Sequence, residues 1–317
     1  MENMLRLVTG RIGCGKTARI YEEIRKITEQ GGEVTLVVPE QYSFHTEKKM
    51  LEMLGARGAD RVNVVSFSFL AKNLLKKYGL NSEKSLDDST RAMLMSVALD
   101  EAGDDLQVYS RHRYSPAVIL QMLKTLKDFR QCSVTSDKIE ETLAKLKPSL
   151  LKDKLGEILL IDRTYTALVE QNYFDDDCAL DILCDVLDEH RDFDGAEVFV
   201  DGFRGFTAQE YAVLERIMRQ SAETWVTLCV DKADDEFGVF AHTFRTKRKL
   251  IRCAQKSGTD IAKPEFLTRD GSIDPELNAL EKGLYSGGAE IYGEKTKKIT
   301  LCSAEDFESE CEFVACT

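Results

Sequence analysis

Eight residues near the start of the chain, Gly10-Arg11-Ile12-Gly13-Cys14-Gly15-Lys16-Thr17, match G-x-x-x-x-G-K-[ST] without a mismatch. They stand between a β-type run, Met4–Thr9, and an amphipathic helical pattern, Thr17–Thr28. Glycines at these positions let the backbone turn tightly, so that successive N–H groups point inward at an anion. The helix that follows presents its N-terminus, whose dipole favours negative charge. Lys16 then reaches the β- and γ-phosphates and the Thr17 hydroxyl can ligate Mg²⁺. The expected ligands are ATP and Mg²⁺, with Gly10 through Thr17 as the nucleotide-binding residues. The competing reading is an ordinary glycine-rich turn.

The segments around this loop set the fold class. Val34–Val38, closed by Pro39, and Val62–Val65 read as buried strands; helical patterns cover Phe44–Leu54 and Ser68–Tyr78. Strands separated by helices imply right-handed crossovers and a buried parallel sheet. From about Asn81 to Asp194 helix-period runs dominate: Ser89–Ala102, Pro116–Gln131, Ser136–Leu146, Leu150–Glu170 and Cys178–His190. Strand signals return at Glu197–Val200 and Trp225–Val230, with helices over Ala208–Ser221 and Phe244–Gln255. A loop-rich stretch including Gly283–Gly293 precedes a last expected strand, Lys298–Cys302, and a helix over Glu305–Ala315. The fold class is therefore α/β: one sheet domain from residues 1–80 and 195–317, interrupted by an all-helical insertion at 81–194. The chain stops inside a helical pattern without a cap, which reads as a piece of a longer protein.

Charge and cysteine content narrow the classes further. The net charge of −12 seems to speak against nucleic acid. Residues 158–201, however, hold thirteen carboxylates against only Arg163 and Arg191, and the rest of the chain is near neutral. That acidic stretch reads as a solvated face or as a surface for a partner. Nine cysteines, an odd number without a CxxC pair, argue for reduced and mostly buried thiols. No apolar run approaches the ~20 residues of a membrane helix and the N-terminus has no secretory stretch, so a cytoplasmic protein is expected. His45, His112, His190 and His242 lie in separate segments with no nucleophile beside them, which supports neither hydrolase triads nor histidine metal sites.

A working nucleotide hydrolase needs a second carboxylate at a strand end for Mg²⁺ and a group that activates water. Asp201, ending the run Glu197–Val200, is the candidate for the metal role, through water; a loop or capping role is the alternative. Gly202 stands where helicase-type ATPases place the catalytic Glu, so hydrolysis by this chain is doubtful, and no catalytic residue is assigned.

Four segments in order, G-R-I-G-C-G-K-T, V-V-P-E-Q-Y-S-F (37–44), V-S-F-S-F-L-A (65–71) and V-D-G-F-R-G-F-T-A-Q-E (200–210), carry a resemblance. Together they resemble the N-terminal region of the AddB (RexB-type) subunit of the bacterial AddAB ATP-dependent helicase–nuclease. The resemblance implies a superfamily-1-like helicase core with a RecA-like P-loop domain and a helical insertion. It implies a helicase relative that kept nucleotide binding and lost motor chemistry, within a helicase/exonuclease complex acting in double-strand break processing and recombinational DNA repair. The implied partners are DNA and an AddA-type subunit in a heterodimer. A C-terminal nuclease with an iron–sulfur cluster belongs to the family but has no counterpart on these residues.

The resemblance puts Gln41 and Ser66-Phe67 where helicase relatives contact nucleic acid or couple it to nucleotide. For Gln41 the alternative is a polar helix-start residue; for Phe67 and Phe69 it is core packing. Asp231 falls at another helicase motif position and could equally be a plain strand-end residue. Residues 243–259 contain six basic side chains and no acid. Arg245, Lys249, Arg252 and Lys256 recur at helical spacing as one stripe, either a DNA contact or a solvated face. A different class remains open: a free-standing P-loop kinase or switch ATPase acting on a small molecule, although no arginine-rich lid motif is evident. A third is a scaffold that binds ATP only structurally.

Cys14 sits inside the phosphate loop, as a small residue or as a nucleophilic thiol at a helix N-terminus. An alkylating agent should block nucleotide binding, and ATP should protect Cys14 from labelling. Equal labelling with and without ATP contradicts the expectation.

Overall fold

The computed structural model describes residues 3–80, 86–170, 173–231, 238–268, 274–283 and 291–317. The first half of the sheet domain follows the expected alternation: β1 (Met4–Gly10), α1 (Lys16–Glu29), β2 (Val34–Val37), α2 (Ser43–Ala59), β3 (Val62–Val65) and α3 (Phe67–Lys77). Helices α4 (Asp88–Glu101), α5 (Pro116–Gln131), α6 (Ser136–Lys145), α7 (Leu150–Glu170) and α8 (Ala179–Glu189) come next. Then come β4 (Glu197–Val200), α9 (Ala208–Gln220), β5 (Glu223–Cys229), α10 (Ala241–Ser257), β6 (Asp260–Ile261), β7 (Glu265–Phe266), α11 (Pro275–Gly283) and α12 (Phe307–Cys316). The strands form one sheet in the order β3-β2-β4-β5-β1-β6, with β7 also pairing β1, and every described pairing is parallel.

Alternation along the strands sends side chains to two cores, one on each face of the sheet. On β4, Val198 and Val200 face one core and Phe199 the other; on β5, Val226 and Leu228 oppose Trp225. Ile20 and Ile24 of α1 and Met50 of α2 cover the second face. Helices α3, α8, α9 and α10 cover the first, with Leu70, Leu187, Val213, Ile217 and Leu250 all but inaccessible. Burying each such side chain contributes on the order of 1.5–3 kcal/mol before entropy is subtracted. A third core joins α4, α5 and α7 through Met95, Leu99, Met122, Leu126, Ile161 and Tyr165.

Helix α8 differs from its sequence grouping. Its texture belongs with the helical middle, yet Leu183, Cys184 and Leu187 lie in the sheet's first core against α3 and α9. An amphipathic helix goes where its apolar stripe is matched, and α3 and α9 offer that match between them. The expected strand Lys298–Cys302 does not form: Leu301 is 97 % exposed. The strand edge beside β1 is already taken by β6 and β7, and the backbone N–H groups of Lys297 and Lys298 donate instead to the buried Glu276 carboxylate. The glycine-rich stretch expected before it lies largely outside the described residues. The cysteines are less buried than expected, since Cys132, Cys302, Cys311 and Cys316 are exposed. All nine are free thiols. Among the described residues no helix is long and apolar enough to cross a membrane.

Part of the acidic stretch is engaged by cations within the molecule. Asp175, whose side chain is 4 % exposed, accepts hydrogen bonds from Arg91 at 3.1 Å and Arg130 at 2.5 Å. Asp177 pairs with Lys127 at 3.0 Å and Arg91 at 3.4 Å. Asp188 binds Arg216 and Arg219 of α9, and Asp192 accepts from Lys77 and Tyr78. Cations from α3, α4, α5 and α9 thus offset these four of the thirteen carboxylates; a buried carboxylate such as Asp175 needs such partners.

Glu197 at the start of β4 has no such neutraliser. Half burial, followed by the charge of neighbouring Glu223, pushes its carboxyl up to about 7, against a smaller opposing effect of Arg6. One of its oxygens is buried without a hydrogen-bond partner. A carboxyl raised in the folded state binds more protons there than in the unfolded chain, so its contribution is complete below the ordinary 4.5 and is lost as pH rises through about 7. Thermal melts should therefore show the midpoint falling across that window, and Glu197→Gln should flatten the fall. The same slope in both proteins contradicts this assignment.

Candidate functional site

The phosphate-loop sequence forms the turn between β1 and α1. Gly10, Gly13 and Gly15 take φ values of 152°, 74° and 87°, in the region that side chains disfavour. At Gly10 a Cβ would lie 2.4 Å from the Leu267 carbonyl oxygen and 2.5 Å from Cys14 Sγ, so only glycine fits. Around Gly15, by contrast, nothing lies within 4 Å of a Cβ position, and no side chain caps α1. The first-turn N–H groups of α1 are thus left for water or an anion. The Lys16 ammonium is folded into the loop, donating to the carbonyls of Gly10 at 2.9 Å and Arg11 at 2.7 Å, with Cys14 Sγ 3.7 Å away.

Strands β4 and β5 bring a second set of residues to this loop. Asp201, 7 % exposed at the end of β4, accepts from the Thr17 hydroxyl at 2.9 Å through Oδ2 and from Thr227 of β5 through Oδ1. The Thr17 hydroxyl and the Asp201 carboxylate are hard oxygen donors next to one another, which suits Mg²⁺ held by one protein oxygen and by water. Gly202 follows with φ 82°, and a Cβ there would lie 3.3 Å from Pro39 Cδ. A glutamate at this position would be strained by the backbone and crowded by Pro39, and Gly202 offers no group that could activate water.

Arg11 ties the loop to its far side. Its guanidinium pairs with Asp231, just past β5, at 2.6 Å and with Glu281 of α11 at 3.7 Å, and lies 5.7 Å from the Phe240 ring centroid. The hydrogen bond to Asp231 is the largest cause of the upward shift of the guanidinium. Asp231 is thus a partner of the phosphate loop. Thr227, Phe240 and Glu281 carry no sequence motif; Thr227 follows only from reading β5 in register with Val8 of β1.

The expected nucleic-acid residues divide. Gln41 is exposed in a short turn, Glu40–Tyr42, directly after β2. Ser66 and Phe67 are both buried, as the core-packing alternative for Phe67 has it. Ser66 is buried and caps α3 by accepting from Phe69 N at 3.1 Å. Phe67 is 3 % exposed, packed edge-on against Phe203 and Phe206 at 5.5 and 6.1 Å. Phe69 instead is half exposed and lines a cavity of about 690 Å³ whose charged residues are Lys72 and Lys127 together with Glu40, Asp176, Asp177 and Glu210. This cavity opens where β2, β3 and β4 end, the side on which parallel α/β sheets bind ligands. Arg245, Lys249, Arg252 and Lys256 are all exposed on the outer side of α10, as the spacing requires. Among the described residues no three His, Cys, Asp or Glu side chains group as a metal site.

Residues 7–281 match the family model described as ADDB, N-terminal. Relatives named as ATP-dependent helicase/deoxyribonuclease subunits are 31 % identical in Caldanaerobacter subterraneus subsp. tengcongensis, 29 % in Clostridium acetobutylicum and 30 % in Thermoanaerobacter sp. strain X514. Each alignment covers 98 % of this chain and 28 % of the relative, so the chain spans little more than a quarter of their length. With most of its sheet domain and all of its helical middle inside the matched residues, the chain belongs to the AddB N-terminal family.

Proposed function

We propose that the sheet is a RecA-like P-loop domain of the superfamily-1 helicase type that binds ATP with Mg²⁺ and hydrolyses it weakly or not at all. The observation that carries this reading is the junction of β1, β4 and β5. An uncapped glycine cradle holds Lys16, and Thr17 and Asp201 stand together as oxygen donors. Gly202 occupies a left-handed turn where a water-activating carboxylate would otherwise stand. The backbone N–H groups from Gly13 to Thr17 and the Lys16 ammonium would hold the phosphates; Mg²⁺ would supply charge neutralisation between phosphate oxygens. Arg11 stays outside that cradle, engaged with Asp231 and Glu281.

Family membership extends the proposal. The relatives are named as subunits of an ATP-dependent helicase/deoxyribonuclease. By that likeness the chain acts with an AddA-type partner subunit on DNA during double-strand break processing and recombinational repair, in the cytoplasm. The exposed Phe69 at the strand-end cavity supports contact with single-stranded DNA there, since an aromatic face can stack an unpaired base.

Equilibrium binding of ATP, with turnover measured in the presence and absence of single-stranded DNA, tests the reading. The chain should bind ATP, and Lys16→Ala should weaken binding roughly 10–100-fold, as loss of a charge-assisted contact predicts. Turnover should stay near the uncatalysed level with or without DNA. Brisk, DNA-independent phosphate transfer to a small molecule would favour a kinase and overturn the proposal.

A further inference from the structure

Helix α10 is anomalous for a chain of net charge −12. Arg245 and Lys249, Lys249 and Arg252, and Arg252 and Lys256 are like-charged neighbours at i,i+4 or i,i+3, an arrangement that destabilises an isolated helix. None of these four cations makes an ion pair among the described residues, whereas Lys77 of α3, Arg91 of α4, Arg130 of α5 and Arg216 of α9 each find a carboxylate. Lys249 lies 5.2 Å over the Tyr211 ring. Glu215 of α9 is near enough to act with Lys249 and Lys256 on the Cys253 thiol but pairs with neither. The inner side of α10 explains the helix's packing without the stripe: Phe244, Leu250, Cys253 and Ala254 are the residues that enter the core. Apart from Lys249 over the Tyr211 ring, the stripe makes no charged contact among the described residues.

A groove between α9 and α10 connects the stripe to the strand-end cavity. It has a volume of about 420 Å³ and is lined by Phe206, Tyr211, His242, Arg245, Thr246 and Lys249, among others. Thr207 and Glu210 line both this groove and the strand-end cavity. In that shared wall the Glu210 carboxylate accepts from Thr207 N at 2.7 Å in a capping box, which fixes its position and leaves its charge, so the cations of the track are Arg245 and Lys249 on the α10 side. Gly205 keeps the wall low: a Cβ there would lie 2.8 Å from His242 Nε2.

We propose that the α9–α10 groove and the stripe form a sequence-independent track for the phosphate backbone of single-stranded DNA. The track continues from the strand-end cavity down the flank of the sheet. The inference rests on the DNA reading above and adds a second contact region to it. Arg245 to Lys256 spans about 16 Å along the helix at 1.5 Å per residue, a length that a few nucleotides of a single extended strand can follow. Exposed Lys and Arg without base-edge partners position phosphate and do not read sequence.

Binding of an oligo-dT, followed by fluorescence anisotropy across a salt titration, tests the track. Four phosphate contacts on a single strand give a slope of log affinity against log salt of about −3. Arg245→Glu with Lys249→Glu should weaken binding at low salt at least about tenfold and bring the slope to about −1.4, with ATP binding unchanged. The charge-conserving pair Arg245→Lys with Lys249→Arg should keep the slope. Should the reversal variant fail to fold, Arg252→Gln with Lys256→Gln, at the distal exposed end, should flatten the slope alike. Unchanged affinity and slope in folded variants overturn the track and leave the strand-end cavity as the DNA contact. An unmodified chain that binds no oligo-dT overturns both readings. A duplex of equal length that competes more strongly than oligo-dT overturns the single-strand assignment.

Discussion

The carboxylate of Asp201 is the contact on which the site depends. In the strand order β4-β5-β1, the end of β4 lies two strands from the phosphate loop, and β5 stands between them. Asp201 closes that span by accepting from Thr227 on β5 and from Thr17 at the head of α1. A carboxylate buried to this degree is tolerable only where hydrogen-bond donors satisfy it. The parallel register, with Val8 opposite Thr227 and Val200 opposite Val226, brings both hydroxyls within reach. The apolar cores on both faces hold that register, since a slip of one residue would exchange the two faces.

Electrostatics divides the molecule along similar lines. The thirteen carboxylates of residues 158–201 read as a surface charge, but Asp175, Asp177, Asp188 and Asp192 are joined to cations from distant segments. Asp176, Asp181, Asp185, Glu189 and Asp194 stay exposed, as does the basic stripe of α10, so charge of both signs reaches the surface in separate places. At the opposite end of β4 from Asp201, burial and the neighbouring Glu223 raise the Glu197 carboxyl to about 7, only partly offset by Arg6.

Much of this was legible in the sequence because its signals are local. The phosphate loop is a contiguous motif bound to one backbone shape, and apolar runs such as Val34–Val38 declare buried strands. Gly202 was visible as a residue without a side chain after the β4 aspartate, while its φ of 82° and the 3.3 Å from a would-be Cβ to Pro39 Cδ give the reason a side chain is disfavoured there. Where the reading failed, the deciding partner was far away in sequence. Phe67 takes the core-packing alternative beside Phe203 and Phe206, whereas Phe69, for which core packing is equally expected, is half exposed. The strand expected at Lys298–Cys302 lost its edge to β6 and β7 and its backbone donors to Glu276. Thr227, Phe240 and Glu281 gave no signal at all, because only the sheet order brings them to the loop.

Thr17 and Asp201 as the joint seat of a nucleotide-bound Mg²⁺ is the point on which the proposed function turns. The affinity of the chain for ATP with and without Mg²⁺, compared with that of Asp201→Asn, tests it most directly. Asparagine keeps the size and an acceptor for one threonine but removes the charge. Mg²⁺ should tighten ATP binding in the unaltered chain, and this ratio should collapse towards one in Asp201→Asn, with the melting profile retained. An equal Mg²⁺ dependence in both proteins would contradict the assignment.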